Sequence, residues 1–291
     1  MEKVLAFDIG GTNIRIAKIN KDLKIEKIEK VSTPRNDVNA FFDAIDNLLK
    51  HFDLSDVSAI GAGVPGVVDR ENGVIIDLPN VGIKNIEFRK HFLEKYNLQT
   101  FIRNDAEVAC LAESYAGKGK DYERVFFITI STGLGGAMCI NNVNQDYITE
   151  IGHTAYKYKD IISEYEYLSC GTGLVHLASL NGLNIKCAKE FFELLDKKDE
   201  KALLVKNEWL KILTDFLNLI ENSYMPEIYC VTGGVMKSKK YFFEDLKEKN
   251  KDKNIVECYF EEDAGIIGAA IYAFKMLKIV WFNAYKSIYY S

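Results

Sequence analysis

The sequence lacks paired cysteines, a segment long enough to cross a membrane, and the two commonest glycine motifs for nucleotides. Its six cysteines are scattered and form no CxxC pair, so we expect reduced thiols in the core of a cytoplasmic protein. No apolar run reaches transmembrane length, and no N-terminal signal peptide is visible. Neither GxxxxGK[ST] nor GxGxxG occurs. These absences argue against a membrane protein and against the P-loop and dinucleotide folds.

The composition is that of an ordinary globular protein. Of the 291 residues, 48% are hydrophobic and 27% are charged, and the net charge is −5. A negative balance argues against nucleic acid as the main partner. The length is enough for two lobes, each with its own core.

The opening segment consists of two strands joined by a glycine-rich turn. A buried strand over residues 4–9 contains Asp8 and returns as a second strand over residues 14–19. The turn between them consists of Gly10, Gly11, Thr12 and Asn13. Glycines admit close approach of the backbone, so N–H groups and the Thr12 hydroxyl can bind anionic oxygens, while Asp8 can hold Mg²⁺ directly or through water. The alternative is a glycine hairpin between two core strands.

The same pattern of strand, glycine turn and strand occurs again in the second half. A strand over residues 125–130 leads into Ser-Thr-Gly-Leu-Gly-Gly at 131–136, and a strand returns over 137–140. Thr132, Gly133 and Gly135 are the corresponding candidates for phosphate contacts. Two such hairpins can grip a nucleotide from opposite sides of an interlobe cleft.

The remaining pattern alternates strands and helices. Strands are predicted over residues 24–31, 59–64, 100–103 and 227–232, and helices over 87–96, from Asp105 through 113, through most of 186–224, and from 263. A further helix begins after Asn36 or Asp37, either of which can cap it.

Eight motifs in order along the chain resemble those of the ROK family of sugar kinases and repressors, within the actin-like ATPase superfamily. They are DIGGTN (8–13), GVPGVVD (63–69), LPN (78–80), NDA (104–106), STGLGG (131–136), EIGH (150–153), TGG (232–234) and DAGIIGAA (263–270). The resemblance implies an α/β fold of two ribonuclease-H-like lobes with an interlobe cleft. The small lobe is expected over 1–113 plus 277–291, and the large lobe over 114–276.

The resemblance also implies roles for individual residues. Asp105 matches the catalytic base, which orients the attacking hydroxyl and accepts its proton. The expected sugar-binding residues are Gly66, Asn80, Asn104, Asp105, Glu150, His153 and Glu166. Gly233 and Gly234 match the adenosine-side turn. From the residues alone, a helix cap is favoured for Asp105, a structural role is the commoner one for a histidine such as His153, and the Gly233-Gly234 pair can be an ordinary turn.

One departure from the family pattern is clear. Members usually carry a CxCGxxGC module after this histidine, which forms a structural zinc site with three thiolates. Residues 156–164 contain no cysteine, and Cys170 stands alone, so we expect no structural zinc. Apolar packing of Tyr156, Tyr158, Ile161 and Ile162 is expected to hold this segment instead.

The resemblance implies an ATP- and Mg²⁺-dependent kinase for the 6-hydroxyl of a hexose or N-acetylhexosamine. Retention of EIGH without the zinc module is similar to zinc-less N-acetylmannosamine kinases of sialic acid catabolism, with glucokinase or fructokinase as the alternative. A sugar-sensing repressor is expected to need a DNA-binding domain before the first hairpin, and a non-catalytic actin-like ATPase would not need NDA and EIGH together. A cytoplasmic homodimer is expected, with residues 276–290 packed on the small lobe or on the dimer partner rather than on a membrane.

Overall fold

The computed structural model describes residues 2–145 and 150–289, with side chains described up to residue 279. The chain divides into two compact units, Met1–Tyr115 with Glu262–Ser291, and Ala116–Glu261. From the sequence, the chain was expected to rejoin the small lobe at residue 277. In the structure it rejoins the first unit earlier, at Glu262.

The first unit is a five-stranded sheet with helices. Its strand order is β3-β2-β1-β4-β8, and β1, β4 and β8 are parallel while β2 is antiparallel to both neighbours. A small sheet β5-β6-β7 completes it. The elements are β1 (Lys3–Ile9), β2 (Asn13–Asn20), β3 (Ile25–Ser32), α1 (Val38–Leu49), β4 (Val57–Val64), β5 (Val67–Asp69), β6 (Val74–Leu78), β7 (Ile83–Ile86), α2 (Phe88–Tyr96), β8 (Gln99–Asn104) and α3 (Asp105–Ala116).

The second unit repeats this topology. Its main sheet has the order β11-β10-β9-β14-β15, with β9, β14 and β15 parallel and β10 antiparallel to both neighbours. The elements are β9 (Arg124–Ile130), β10 (Leu134–Ile140), β11 (Val143–Asn144), β12 (Ala155–Tyr158), β13 (Ile161–Glu164), α4 (Tyr165–Ser169), α5 (Gly171–Leu180), α6 (Ala188–Asp196), α7 (Glu200–Tyr224), β14 (Ile228–Thr232), α8 (Phe243–Lys249) and β15 (Ile255–Glu257). The repeated hairpin predicted from the sequence is confirmed in both sheets.

Local signals in the sequence explain several of these boundaries. The Asp37 side chain accepts hydrogen bonds from the N–H groups of Asn39 and Ala40 at 2.9 and 3.0 Å, so Asp37 rather than Asn36 caps α1. Strand β3 lies at the sheet edge, in keeping with its alternating charged pattern.

The second glycine turn is shorter than the six residues expected. Strand β10 already begins at Leu134, and Gly135 pairs with Thr129 of β9. The Ser131 N–H donates to the Gly133 carbonyl at 2.8 Å, which closes the turn over three residues. The glycines of β10 therefore lie within the sheet, where Gly136 leaves room for the ring of Phe126.

The final helix, α9 (Ala264–Tyr289), packs on β1, β4 and β8. Small residues on both sides make this close approach possible, because a side chain at Gly61 would overlap the carbonyl of Ala269, and one at Gly268 would overlap the carbonyl of Val108. The N-terminal half of α9 therefore belongs to the first unit. Of the aromatic tail expected to pack at 276–290, Leu277 is buried, and the side chains from residue 280 on lie outside the described part.

Strands β12 and β13 form a hairpin in the segment that was expected to be held by apolar packing. Tyr158 is buried, and Tyr156 packs against the core and donates to Asp215 at 2.8 Å. For the two isoleucines the expectation is wrong, since Ile161 is exposed and Ile162 is 83% exposed. Tyr156, Tyr158 and Ile161 share one face of the hairpin, because Tyr158 pairs with Ile161, whereas Ile162 lies on the other face.

In the part of the chain that the structure describes, no helix combines the length and the apolar character needed to span a bilayer.

The contact between α9 and α3 generates a stability prediction. We expect Gly268→Val to lower the free energy of unfolding by about 1–3 kcal/mol, because the new side chain must displace the backbone of Val108. Urea denaturation measures this, and Lys278→Ala, on an exposed position of the same helix, is the control. Equal denaturation midpoints for the two variants would contradict the packing described.

Candidate active site

Parallel strand register brings the polar residues of the first unit to one edge of its sheet. Asp8 in β1 pairs with Gly63 in β4, and Gly63 pairs with Arg103 in β8. The segments after these strands therefore leave the sheet side by side, as the carboxyl ends of parallel strands do. Asp8, Gly66 and Asp105 all lie at this edge.

Asp8 lies between a cation, two other carboxylates and the first turn of α9. Its Oδ2 is 3.7 Å from Nη1 of Arg15, which stands directly opposite Asp8 in the β1–β2 ladder. Arg15 also donates to the carbonyl of Glu262 at 2.6 Å and to the carboxylate of Asp263. A Cβ at Gly265 would be 3.0 Å from Oδ1 of Asp8, so the helix backbone nearly touches the carboxylate.

Burial raises the pKa of Asp8 to about 6. The positive charge of Arg15 opposes this rise, and the negative charges of Asp105 and Asp263 add to it. A desolvated carboxylate with two carboxylates nearby is a site where a bound divalent cation would relieve repulsion. Mg²⁺ commonly binds through one or two carboxylates plus substrate phosphates, so Asp8 fits as its ligand.

The first glycine turn is stabilised by one hydrogen bond within the turn and by two hydrogen bonds from Thr33. The Gly10 N–H donates to the Asn13 carbonyl at 2.9 Å, so this N–H serves the turn itself. Thr33 donates to the carbonyl oxygens of Gly10 and Thr12 at 2.7 and 2.9 Å. Thr12 and Asn13 are exposed.

Asn80, also exposed, lies against the same turn. A Cβ at Gly11 would be 2.9 Å from the Cβ of Asn80. The predicted phosphate turn and one predicted sugar ligand are therefore neighbours in the first unit.

Asn104 and Asp105 lie where β8 becomes α3. The Asn104 side chain accepts from the Ala106 N–H at 3.0 Å and donates to the Gly66 carbonyl at 3.3 Å. Asp105 Oδ1 accepts from the same N–H at 2.8 Å. Because Asn104 also satisfies this first-turn N–H, capping does not depend on Asp105 alone. Gly66, with φ of +91°, occupies a backbone conformation that favours glycine.

In the second unit, the residues predicted to bind the nucleotide follow the parallel strands β9 and β14. The Thr132 carbonyl accepts from the Thr172 hydroxyl at 2.8 Å and from Cys170 Sγ at 2.9 Å, which fixes the turn that contains Gly133. Gly233, with φ of +106°, follows β14, and a side chain there would overlap the Ile130 carbonyl. Among the described residues, no atom beyond the local backbone lies within 4 Å of a Cβ built at Gly234. This leaves open space beside the second turn.

Of the predicted sugar-binding residues, Glu150 and Glu166 lie near His153. His153 ends a 3₁₀ turn, Ile151–His153, and its Nδ1 is 2.9 Å from Oε2 of Glu164. Its Nε2 is 4.0 Å from Oε1 of Glu166. The hydrogen bond to Glu164 raises the pKa of His153, and the charges of Glu166 and Glu150 add to the rise while burial opposes it. Glu166 is anchored through Oε2, which accepts the Leu134 N–H at 2.8 Å.

The lone Cys170 caps a helix. Its sulfur accepts from the Gly173 N–H at 3.3 Å at the start of α5. Across residues 2–145 and 150–279, no group of three or more His, Cys, Asp and Glu side chains is arranged to hold a metal ion. The absence of a structural zinc stays a prediction.

Sequence reasoning missed three residues of the site, namely Arg15, Asp263 and Glu164. Arg15 had a usable signal: a hairpin that turns at Gly11 and Thr12 pairs positions whose numbers add to 23, which puts 15 opposite 8. Glu164 had no such signal, because the β12–β13 hairpin that brings it to His153 was not predicted from the sequence.

Two sheets of one topology, each containing an antiparallel hairpin that turns at glycine, define an α/β protein of the actin-like ATPase fold. The sequence profile of the ROK family matches residues 4–275, and the chain belongs to this family. It is an ATP-dependent sugar kinase.

Three similar proteins illustrate the relationship. An N-acetyl-D-glucosamine kinase of Histophilus somni is 25% identical over 297 residues, covering 91% of this chain and 96% of its own. The ROK glucokinase of Streptomyces griseus, solved with glucose and AMPPNP, has a TM-score of 0.74 at 22% identity, covering 94% of this chain and 99% of its own. A Listeria monocytogenes protein provisionally named an N-acetylmannosamine kinase has a TM-score of 0.80 at 23% identity, covering 92% and 97%.

The raised pKa of Asp8 generates a prediction about pH. Between the ordinary value of 3.8 and about 6, the folded state binds the Asp8 proton more tightly than the unfolded state does. Stability is therefore lost as the pH rises through this window, and the full penalty is present at pH 8. We expect Asp8→Asn to stabilise the ligand-free protein at pH 8 by up to about 3 kcal/mol, at about 1.4 kcal/mol per pKa unit.

Urea denaturation at pH 5 and pH 8 measures the effect of Asp8→Asn. Asp43→Asn, on an exposed position of α1, is the matched control and should change neither midpoint. If Asp8→Asn destabilises the protein equally at both pH values, the carboxylate is not under the strain described.

Proposed function

We propose that this protein transfers the γ-phosphoryl group of ATP to the 6-hydroxyl of an N-acetylhexosamine, with N-acetylmannosamine as the preferred sugar. The observation that carries the proposal is the placement of Asp105 at the carboxyl edge of the first sheet, close enough to Asp8 to raise its pKa. A base and a metal-binding carboxylate in one unit are what phosphoryl transfer to an alcohol requires.

Asp105 accepts the proton of the 6-hydroxyl as its oxygen forms a bond to the γ-phosphorus. The bond from that phosphorus to the β,γ-bridging oxygen breaks, and ADP leaves. Asn104 supports this role because it shares the capping of α3 and is tied to Gly66. Mg²⁺, when bound through Asp8, neutralises charge on the phosphates.

The glycine turns are the proposed phosphate contacts in each unit. In the first unit these are Gly10, Gly11, Thr12 and Asn13; in the second they are Thr132, Gly133 and Gly135, with Gly233 and Gly234 beside the nucleoside. The open space at Gly234 supports the last assignment.

A sugar as the acceptor and the preference for an N-acetylated sugar have separate support. Glu150, His153 and Glu166 are grouped around one another, so they can receive neighbouring sugar hydroxyls. Relatives named for N-acetyl sugars cover nearly the whole chain. The similarity to the Streptomyces griseus glucokinase favours glucose as the second candidate. The homodimer and the cytoplasmic location implied by the family resemblance stay predictions.

A coupled assay of ADP release over a panel of sugars tests the function. We expect N-acetylmannosamine to give the highest kcat/KM, followed by other N-acetylhexosamines, and NMR of the product should place the phosphate on O6. Glucose or fructose as the best substrate would favour the alternative. ATP hydrolysis indifferent to every sugar would overturn the proposal.

Substitution of the base is the sharpest mechanistic test. We expect Asp105→Asn to lower kcat by about 100- to 10,000-fold with little change in either KM, because the amide keeps the shape and the hydrogen bond to Ala106 but accepts no proton. Asp43→Asn is the control for loss of a carboxylate. Retention of more than a tenth of the activity by Asp105→Asn would exclude Asp105 as the base.

Val67 offers a test of sugar choice, since it follows Gly66 and is 40% exposed on β5. If Gly66 and Val67 face the 2-acetamido group of the sugar, Val67→Phe should lower kcat/KM for N-acetylmannosamine about tenfold more than for glucose. The reason is that the larger ring takes the space of the acetyl group. Ile76→Phe, at a similarly exposed position of β6, is the control. Equal losses for both sugars would place the acetamido group elsewhere.

A further inference from the structure

The acidic residue that follows the histidine by eleven positions, Glu164, has no role in the function described so far. It is the last residue of β13, and it pairs with Ala155 at the open end of the β12–β13 hairpin. The Tyr165 N–H donates to the Thr154 carbonyl at 3.3 Å, which closes the base of the hairpin. The two ends of the hairpin are thereby drawn together, and Glu164 is brought beside His153.

We propose that Glu164 is a positioning residue that holds the ring of His153 so that Nε2 and Glu166 together face the sugar. The inference rests on the proposed function, because it names how one part of that sugar site is held.

The hydrogen bond determines which ring nitrogen is available. A carboxylate accepts, so the contact of 2.9 Å requires Nδ1 of His153 to carry the proton. Nε2 is then directed to the other side of the ring, where Oε1 of Glu166 lies 4.0 Å away. That distance is too long for a direct hydrogen bond, so both atoms keep capacity for a hydroxyl group.

Glu166 is also held in place, by a backbone N–H group at the start of β10. Its Oε2 accepts the Leu134 N–H at 2.8 Å, and a Cβ at Gly133 would be 2.7 Å from the same oxygen. The histidine is thus anchored to the hairpin and the glutamate to the start of β10. A pair fixed at both ends loses little further freedom when a sugar binds, which favours affinity.

The exposure of the pair argues for positioning rather than folding. The side chains of His153 and Glu164 are 53% and 49% exposed, and exposed ion pairs contribute little to stability. Variants of Glu164 should therefore fold. The negative groups facing His153 are Glu164, Glu166 and Glu150, and the hydrogen bond to Glu164 is the largest cause of its raised pKa.

The experiment compares Glu164→Ala, Glu164→Gln and Asp160→Ala in the full-length protein. Asp160 is exposed in the turn of the same hairpin, which makes it the matched control. Two readouts are taken: NMR titration of the His153 ring in the ligand-free protein, and KM for sugar, KM for ATP and kcat. The chain has only four histidines, so a His153→Gln variant assigns the signal.

We expect Glu164→Ala to lower the pKa of His153 towards its ordinary value and to raise the sugar KM by about tenfold or more, as loss of an orienting partner does elsewhere. The KM for ATP should stay unchanged and kcat should change far less than the sugar KM. Glu164→Gln should also lower the pKa but keep most of the sugar affinity, since the amide oxygen still accepts from Nδ1. Asp160→Ala should match the wild type.

An unchanged His153 titration in Glu164→Ala would overturn the inference whatever the kinetics. A lowered pKa with an unchanged sugar KM would overturn it too, because the ring would then be held without consequence for the sugar. A wild type that titrates as expected but phosphorylates no sugar would instead overturn the proposed function and leave the hold on His153 supported.

Discussion

The parallel register of β1, β4 and β8 is the constraint on which the first unit's chemistry depends. Three strands that run the same way end at the same edge, so Asp8, Gly66 and Asp105 meet there although almost a hundred residues separate the first from the last. The start of helix α9 also lies at this edge. Small residues let the helix pack so closely on the sheet that Gly265 lies beside the Asp8 carboxylate. No loop has to be long for these groups to meet.

The second unit uses the same topology for a different set of groups. Its hairpin also turns at glycine, and its parallel strand β14 also ends at a glycine. The polar residues there come from the segment after β11 rather than from the strand ends themselves. His153, Glu164 and Glu166 are brought together by the β12–β13 hairpin and by one hydrogen bond to the start of β10. The repeat thus supplies the frame, and an insertion into it supplies the histidine cluster.

Asp8 illustrates how such a site conflicts with stability. Burial beside two other carboxylates disfavours its charged form, and Arg15 offsets only part of that cost. A carboxylate in this situation has more to gain from a cation than an exposed one has, so the same strain that weakens the ligand-free fold favours metal binding. The exposed pair of His153 and Glu164 differs, since solvent reduces its energetic weight and leaves orientation as its main effect.

Much of the fold could be predicted because its signals are local. The hairpins, the cap at Asp37 and the position of Asp105 at a strand–helix junction follow from patterns a few residues long. The short second turn was not predicted, because glycine in a run can serve either a turn or close packing within a strand. The pairing of Gly135 with Thr129 and the ring of Phe126 against Gly136 distinguish the two.

What the sequence by itself determined is the five strands of the first main sheet, the strands β9, β10 and β14 of the second, and the repeated hairpin, since periodicity and turn chemistry are properties of neighbouring residues. Only the tertiary structure decided that Arg15 bridges Asp8 and Asp263, that Ile161 and Ile162 face solvent, and that Glu164 holds His153. Those outcomes depend on strand pairing and on which face of a strand is covered, and residues distant along the chain settle both.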